Sequence, residues 1–196
     1  MSTTPDPGPP DIELSPTGRV ILGMIALGKR TGYDIKAFVD KTARYFWAAS
    51  YGQLYPELKR LEDQGLVRGQ QEPSGGRART VYELTETGTA ALERWLVSDD
   101  VPSYELRDEG MLKLFLSDSL PERRIDIVRA MRVREERALA HLRSIEPHAS
   151  QGPPGPYLTL QMGIELTERA IEWCETTERR LAAETAAPPA PDPAGA

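Results

Sequence analysis

The chain has 196 residues, 39% of them hydrophobic and 28% charged, and 24 Lys+Arg against 30 Asp+Glu give a formal charge of −6. That length allows one domain or two small ones, and the longest apolar run, Val20 to Leu27 broken at Gly23, is far short of the ~20 residues that cross a bilayer. A single cysteine, Cys174, excludes an internal disulfide framework and a cysteine-rich zinc site, and MSTTPDPGPPD has no basic start or apolar stretch of a secretory signal, so a soluble cytoplasmic protein without a membrane partner is expected.

Residues 1–14 and 185–196 are expected to be disordered tails, since the first holds four prolines by residue 11 and the second, TAAPPAPDPAGA, has little to bury. Thr17 to Leu27 reads as a first helix, with Ile21, Leu22, Met24, Ile25 and Leu27 covering more than one face, as in a buried helix. Gly28 is its stop, and Gly32 opens a second helix running from about Tyr33 to Lys41, with Ile35, Phe38 and Val39 apolar. Ser50-Tyr51-Gly52-Gln53 fits an S-x-x-Q capping box for a third helix, in which Leu54, Leu58 and Leu61 form an inward stripe and Gly65 the stop. Pro56 should clash with the carbonyl of Gly52, so the spacing predicts a bent or loosened first turn.

Removing the leucine stripe leaves Tyr51, Gln53, Tyr55, Glu57, Lys59, Arg60 and Asp63 for the other faces. Ser, Gln, Tyr and Lys in the opening turns of a short helix can bond to phosphates and base edges, and the positive helix end favours an anion. Packing of Tyr51 and Tyr55 on the first helix is the alternative. Strands follow at Leu66 to Glu72 and Arg79 to Leu84, joined by the hairpin turn Pro73-Ser74-Gly75-Gly76. Arg77 and Arg79 near that tip suit a wing reaching a phosphate backbone or minor groove, although hairpin arginines are common.

Thr85 caps a fourth helix to about Val97. Three more are predicted at Glu105 to Ser117, Glu122 to Ile145 with Ser119 as cap, and Tyr157 to about Ala183, with Gln151 to Pro156 as the break between the last two. The long pair needs an extended partner. Self-association supplies one and sets two recognition helices ~34 Å apart on successive major grooves; an internal antiparallel bundle is the alternative. The arginines from Arg123 to Arg143 read as solvated or salt-bridged faces. Residues 15–97 hold 12 Lys+Arg and 9 Asp+Glu, a net +3, against 12 and 18 in residues 98–196. Such a split fits a polyanion-binding module joined to a partner domain, or ordinary compositional drift.

Three helices and a basic-tipped hairpin are the order of a winged helix-turn-helix. The fold class expected is therefore mainly α, with a winged helix-turn-helix at residues 15–97 and a helical dimerisation domain at residues 98–184. The segment RYFWAASYGQLYPELKRLEDQGLVRGQQEPSGGRARTVY, with Gly32-Tyr33-Asp34-Ile35 upstream and Arg79, Tyr82, Leu84, Thr85 and Gly88 downstream, resembles the PadR family of bacterial transcriptional regulators. Gln53 departs from the small or hydroxylated residue usual there, which bears on the operator sequence. The resemblance implies a homodimeric repressor binding an inverted repeat in duplex DNA, with Ser50, Tyr51, Gln53, Tyr55 and Lys59 on DNA, Tyr33 on phosphate, Arg77 and Arg79 at the wing, and Trp47 in the core. It also implies release by a small aromatic effector near the dimer interface, for which Trp95, Met111, Phe115, Met162 and Trp173 are candidates; ordinary core packing is the alternative. His141 and His148 lack metal-ligand spacing, Cys174 reads as an inert buried thiol, and no cofactor or nucleophile motif points to an enzyme. A ligand-gated regulator of the MarR type and a winged helix that binds a protein partner are the competing readings.

Overall fold

The computed structural model describes residues 12–42, 51–73, 79–99 and 106–186, and the chain divides into two units, Met1–Pro102 and Ser103–Ala196. In the first, Ser15 caps α1 (Pro16–Ala26), its Oγ accepting from the Gly18 amide at 2.9 Å. Pro16 sits at the first helical position, where a missing amide costs nothing. Gly28 ends the turn at φ +81°, a conformation that side chains resist. Thr31 caps α2 (Gly32–Lys41) in the same way, accepting from the Asp34 amide at 3.1 Å.

A 3₁₀ turn, Tyr51–Gln53, leads into α3 (Leu54–Asp63). The expected loosening is thus present, but it moves the α-helical start to Leu54, and Gln53 stands at the cap position with no side-chain cap bond. Ser50, the other half of the expected capping box, lies outside the described residues. The cause of the later start is Pro56: with the helix starting at Leu54 it falls in the first turn, where its absent N–H is not missed. Leu54, Leu58 and Leu61 are buried with Ile21, Leu22, Ile25, Ile35 and Val39, each leucine contributing about 1.5–3 kcal/mol. Leu14 is only 5% exposed and Ile12 packs on the same core, so these two residues of the tail expected through residue 14 belong to the packed unit. Trp47 lies outside the described residues.

Gly65, at φ +70°, turns the chain into β1 (Val67–Glu72), which pairs antiparallel with β2 (Arg79–Leu84), Val67 opposite Leu84 and Glu72 opposite Arg79. The tip, residues 74–78, lies outside the described residues. Thr85 then caps α4 (Glu86–Leu96), accepting from the Gly88 amide at 3.0 Å and donating to the Gly65 carbonyl at 2.7 Å.

In the second unit α5 (Glu109–Phe115) starts later than Glu105, because Asp108 is extended and its carboxylate caps the Gly110 and Met111 amides. Two 3₁₀ turns, Ser117–Ser119 and Pro121–Arg123, precede α6 (Arg124–Ala149). Ser119 does not cap α6: its hydroxyl donates to the Leu116 carbonyl at 2.9 Å. α6 runs past Ile145 and through Pro147, and α7 (Pro154–Ala186) opens on its prolines, which occupy the first turn without costing a bond. The break between them is accordingly shorter than expected, and α7 takes in Thr185 and Ala186 of the expected tail. α6 and α7 form an antiparallel hairpin, Val128 packing with Cys174 and Leu181 at one end and Leu142 with Leu160 and Ile164 at the other. Arginines of α6 are salt-bridged, Arg132 to Glu178 at 2.7 Å and Arg134 to Asp108 at 2.6 Å.

Candidate nucleic-acid interface

The leucine stripe fixes which sides of α3 stay outside. Gln53 is exposed, Tyr55 is 62% exposed and the Lys59 side chain 76% exposed. Tyr55 lies on the flank nearest α2: a Cβ added to Gly32 would stand 2.7 Å from its Cε1. A glycine at the start of α2 therefore lets the Tyr55 ring rest on the backbone, one residue from Tyr33, which is 76% exposed. Tyr33, Tyr55 and Lys59 are thus presented to solvent from two packed helices. Tyr51 opens the 3₁₀ turn, and Ser50 and Arg77 lie outside the described residues. Arg79 is exposed at the end of β2 and pairs with Glu72 across the ladder at 3.0 Å.

The charge on α3 is not simply basic, because Glu57, Glu62 and Asp63 outnumber Lys59 and Arg60. Two of the three acids are occupied elsewhere. Glu62 Oε1 accepts from the Gly69 amide at 3.0 Å, tying α3 to β1. Glu57 is bound by Arg60 at 2.6 Å and by the Ser15 hydroxyl; the hydrogen bonds from Arg60 hold its carboxyl below the usual carboxylate range against the opposing effect of burial. Only Asp63 faces a solvent-side cation, accepting from Lys59 Nζ at 3.1 Å. An exposed pair of that kind contributes ~0–1 kcal/mol, so exchanging Asp63 for a phosphate costs Lys59 little.

The wing is tied to the helices at a place that no sequence signal marks. The Tyr82 amide donates to the Arg30 carbonyl at 2.7 Å, and Arg30 pairs with Glu83, so the α1–α2 loop is stitched to β2. That loop sets where α2, and with it Tyr33, begins.

The five effector candidates fall in both units. Trp95, in α4, lies beneath the Arg19 guanidinium at 5.5 Å. Met111 and Phe115 of α5 and Met162 and Trp173 of α7 are exposed side chains of the second unit. Met162 lines an open groove along α7 with Glu165, Leu166, Glu168, Arg169 and Glu172. Cys174 is buried, and burial pushes its thiol pKa up, which keeps it protonated and unreactive.

No helix among the described residues is long and apolar enough to cross a membrane. The family described as "Transcriptional regulator PadR-like family" matches residues 21–94, and "Virulence activator alpha C-term" matches residues 106–182. The negative transcriptional regulator PadR of Bacillus subtilis (strain 168) is 29% identical over 167 residues, covering 80% of this chain and 92% of that protein. The crystal structure of Bacillus subtilis PadR in complex with operator DNA aligns with a TM-score of 0.74 at 27% identity, covering 83% of this chain and 97% of that one. For the same protein in complex with p-coumaric acid the TM-score is 0.69, again at 27% identity, covering 84% and 97%. The likeness runs through the winged helix and on into the long helical hairpin, and the chain belongs to the PadR family of transcriptional regulators.

Proposed function

We propose that the chain is a cytoplasmic repressor that binds an inverted repeat in duplex DNA as a homodimer and leaves it when a small planar aromatic effector binds. Residues 15–97 act as the DNA-binding domain and residues 98–184 as the dimerisation domain. α3 enters the major groove, where Gln53, Tyr55 and Lys59, preceded by Ser50 and Tyr51, meet base edges and phosphates. Tyr33 meets a phosphate at the start of α2, and Arg77 and Arg79 carry the wing along the backbone. The function is binding, with no catalytic step. The observation that carries this is the exposure of Tyr33, Tyr55 and Lys59 on two helices whose apolar sides are spent on the core. The operator complex and the description "negative" of the Bacillus subtilis relative lend support.

Dimerisation is supported by a second apolar row on α7. The seam with α6 uses Leu160, Ile164, Cys174 and Leu181, yet Leu158, Met162, Leu166 and Trp173, at spacings of four, four and seven, are exposed. A stripe of that length fits the same stripe of a second copy around a two-fold axis. The effector candidates are Trp95, Met111, Phe115, Met162 and Trp173, whose flat or pliable faces suit a phenolic ring; the p-coumaric acid complex of the relative supports that class of ligand.

Anisotropy titration of a labelled duplex, selected by the chain from a random pool, tests the interface. Tyr55→Ala is expected to cost about 1–3 kcal/mol of affinity at fixed salt while the oligomeric state is unchanged. Unaltered affinity removes Tyr55 from the interface.

A further inference from the structure

Of the three acids of α3, Glu57 is the one withdrawn from solvent. Its side chain is 12% exposed, and its carboxylate accepts from Arg60 Nε at 2.9 Å, from Arg60 Nη2 at 2.6 Å and from the Ser15 hydroxyl. Gly18 of α1 leaves the room: a Cβ there would stand 2.8 Å from Glu57 Oε1. α1 carries no acid in its own first turn, so Glu57 supplies, from another helix, the negative charge that the positive end of α1 favours. The third branch of the guanidinium, Nη1, donates to Gln64 at 3.2 Å. Nε, Nη1 and Nη2 of Arg60 are therefore all engaged within the protein, although Arg60 follows Gln53 by seven residues and so lies on the same side of the helix, two turns on. The contrast with Lys59 is sharp: the Lys59–Asp63 pair is open to solvent on both sides.

Resting on the reading of α3 as the DNA helix, we propose that Glu57 is a positioning residue that sets specificity: by holding the Arg60 guanidinium on its own carboxylate it keeps that cation off the phosphate backbone. A phosphate contact strengthens binding to any sequence, so a cation on the recognition helix that reached phosphate would raise non-specific and specific affinity alike. Withholding it preserves the ratio between them.

The test uses the full chain, a labelled random-sequence duplex and the duplex that the unmodified chain enriches from that pool, titrated at several salt concentrations. Glu57→Gln keeps the side-chain shape and frees Arg60. Affinity for the random duplex should rise, and the salt slope should steepen by ~0.9 per recognition helix, so that the affinity ratio between about 50 and 200 mM salt grows ~3.5-fold for each helix and ~12-fold for the dimer with both helices bound. Adding Arg60→Gln to Glu57→Gln should abolish both changes, whereas Arg60→Gln alone should leave the salt slope as it is. If Glu57→Gln weakens both duplexes in parallel at an unchanged slope, the seat is merely structural and the proposal is overturned. If Arg60→Gln alone flattens the slope, Arg60 already sits on a phosphate and the proposal is overturned even should Glu57→Gln fail to fold. An unmodified chain that binds neither duplex refutes the DNA role of α3 and this proposal together; binding with the wrong slopes refutes only this one.

Discussion

Replacing Gly88 by alanine should destabilise the winged-helix unit severely, against the ordinary preference of a helix. Alanine is better than glycine in a helix by about 1 kcal/mol, and Gly88 lies in the first turn of α4. Its Cβ, however, would stand 1.9 Å from the Leu66 carbonyl oxygen and 2.9 Å from the Leu66 carbonyl carbon. Carbon and oxygen do not ordinarily approach closer than about 3.3 Å, so α4 must retreat by more than 1 Å from the start of β1. That carbonyl accepts from the Thr85 amide at 3.1 Å, and Thr85 Oγ1 bridges the Gly65 carbonyl at 2.7 Å and the Gly88 amide at 3.0 Å. Loss of this cap and one or two of these bonds costs ~1 kcal/mol each, and Ala91 and Leu92 are drawn partly out of the core. The total is about 3–5 kcal/mol, a large part of the ~5–15 kcal/mol that a domain has. Urea denaturation followed by far-UV circular dichroism measures it. A Gly88→Ala protein as stable as the parent, or more so, refutes the close approach of α4 to Leu66.

Two further outcomes follow from the second unit. Hydrogen bonds from Arg134 hold the Asp108 carboxyl below the usual carboxylate range, with burial opposing and the Met111 and Gly110 amides assisting. Because the folded value is depressed, its stabilisation is complete above about pH 4 and is lost as pH falls through the lowered value. Asp108→Asn, which still caps α5, should remove that part of the acid-side decline; superimposable normalised acid limbs in thermal melts contradict it. Leu166→Glu, placed in the exposed α7 row, should convert a dimer to a single chain in sedimentation velocity without loss of helix, and an unaltered dimer moves the interface elsewhere.

The helices were legible because their apolar residues recur at threes and fours: Leu54, Leu58 and Leu61 are all buried, as are Ile35 and Val39. The two stops at Gly28 and Gly65 were legible for a different reason, each needing a positive φ. Thr85 and Gly88 stood in the sequence as parts of a family pattern, and the Leu66 carbonyl beside them gives the physical reason for both. Helix starts are less legible. Ser15, Thr31 and Asp108 cap α1, α2 and α5, but a capping side chain declares itself only when the next residues are known to be helical. Prolines misled in one direction, since Pro154 and Pro156 begin α7 instead of preceding it. At the interface, exposure of Tyr55 and Lys59 followed from subtracting the core stripe. The rest of that local structure did not, because it depends on partners distant in sequence: Ser15 meets Glu57 across 42 positions, and the room for Tyr55 is made by Gly32. Spacing along one helix carries no trace of such pairs.

On the proposed reading, a symmetric pair of chains presents two copies of α3 to one duplex. Selection of bound sequences from a random pool, followed by measurement of the stoichiometry on the enriched duplex, tests it most directly. The expected product is an inverted repeat whose half-sites lie one helical turn, ~34 Å, apart, occupied by two chains and weakened by Tyr55→Ala. Enrichment of an asymmetric site held by one chain, or no enrichment at low salt, contradicts it.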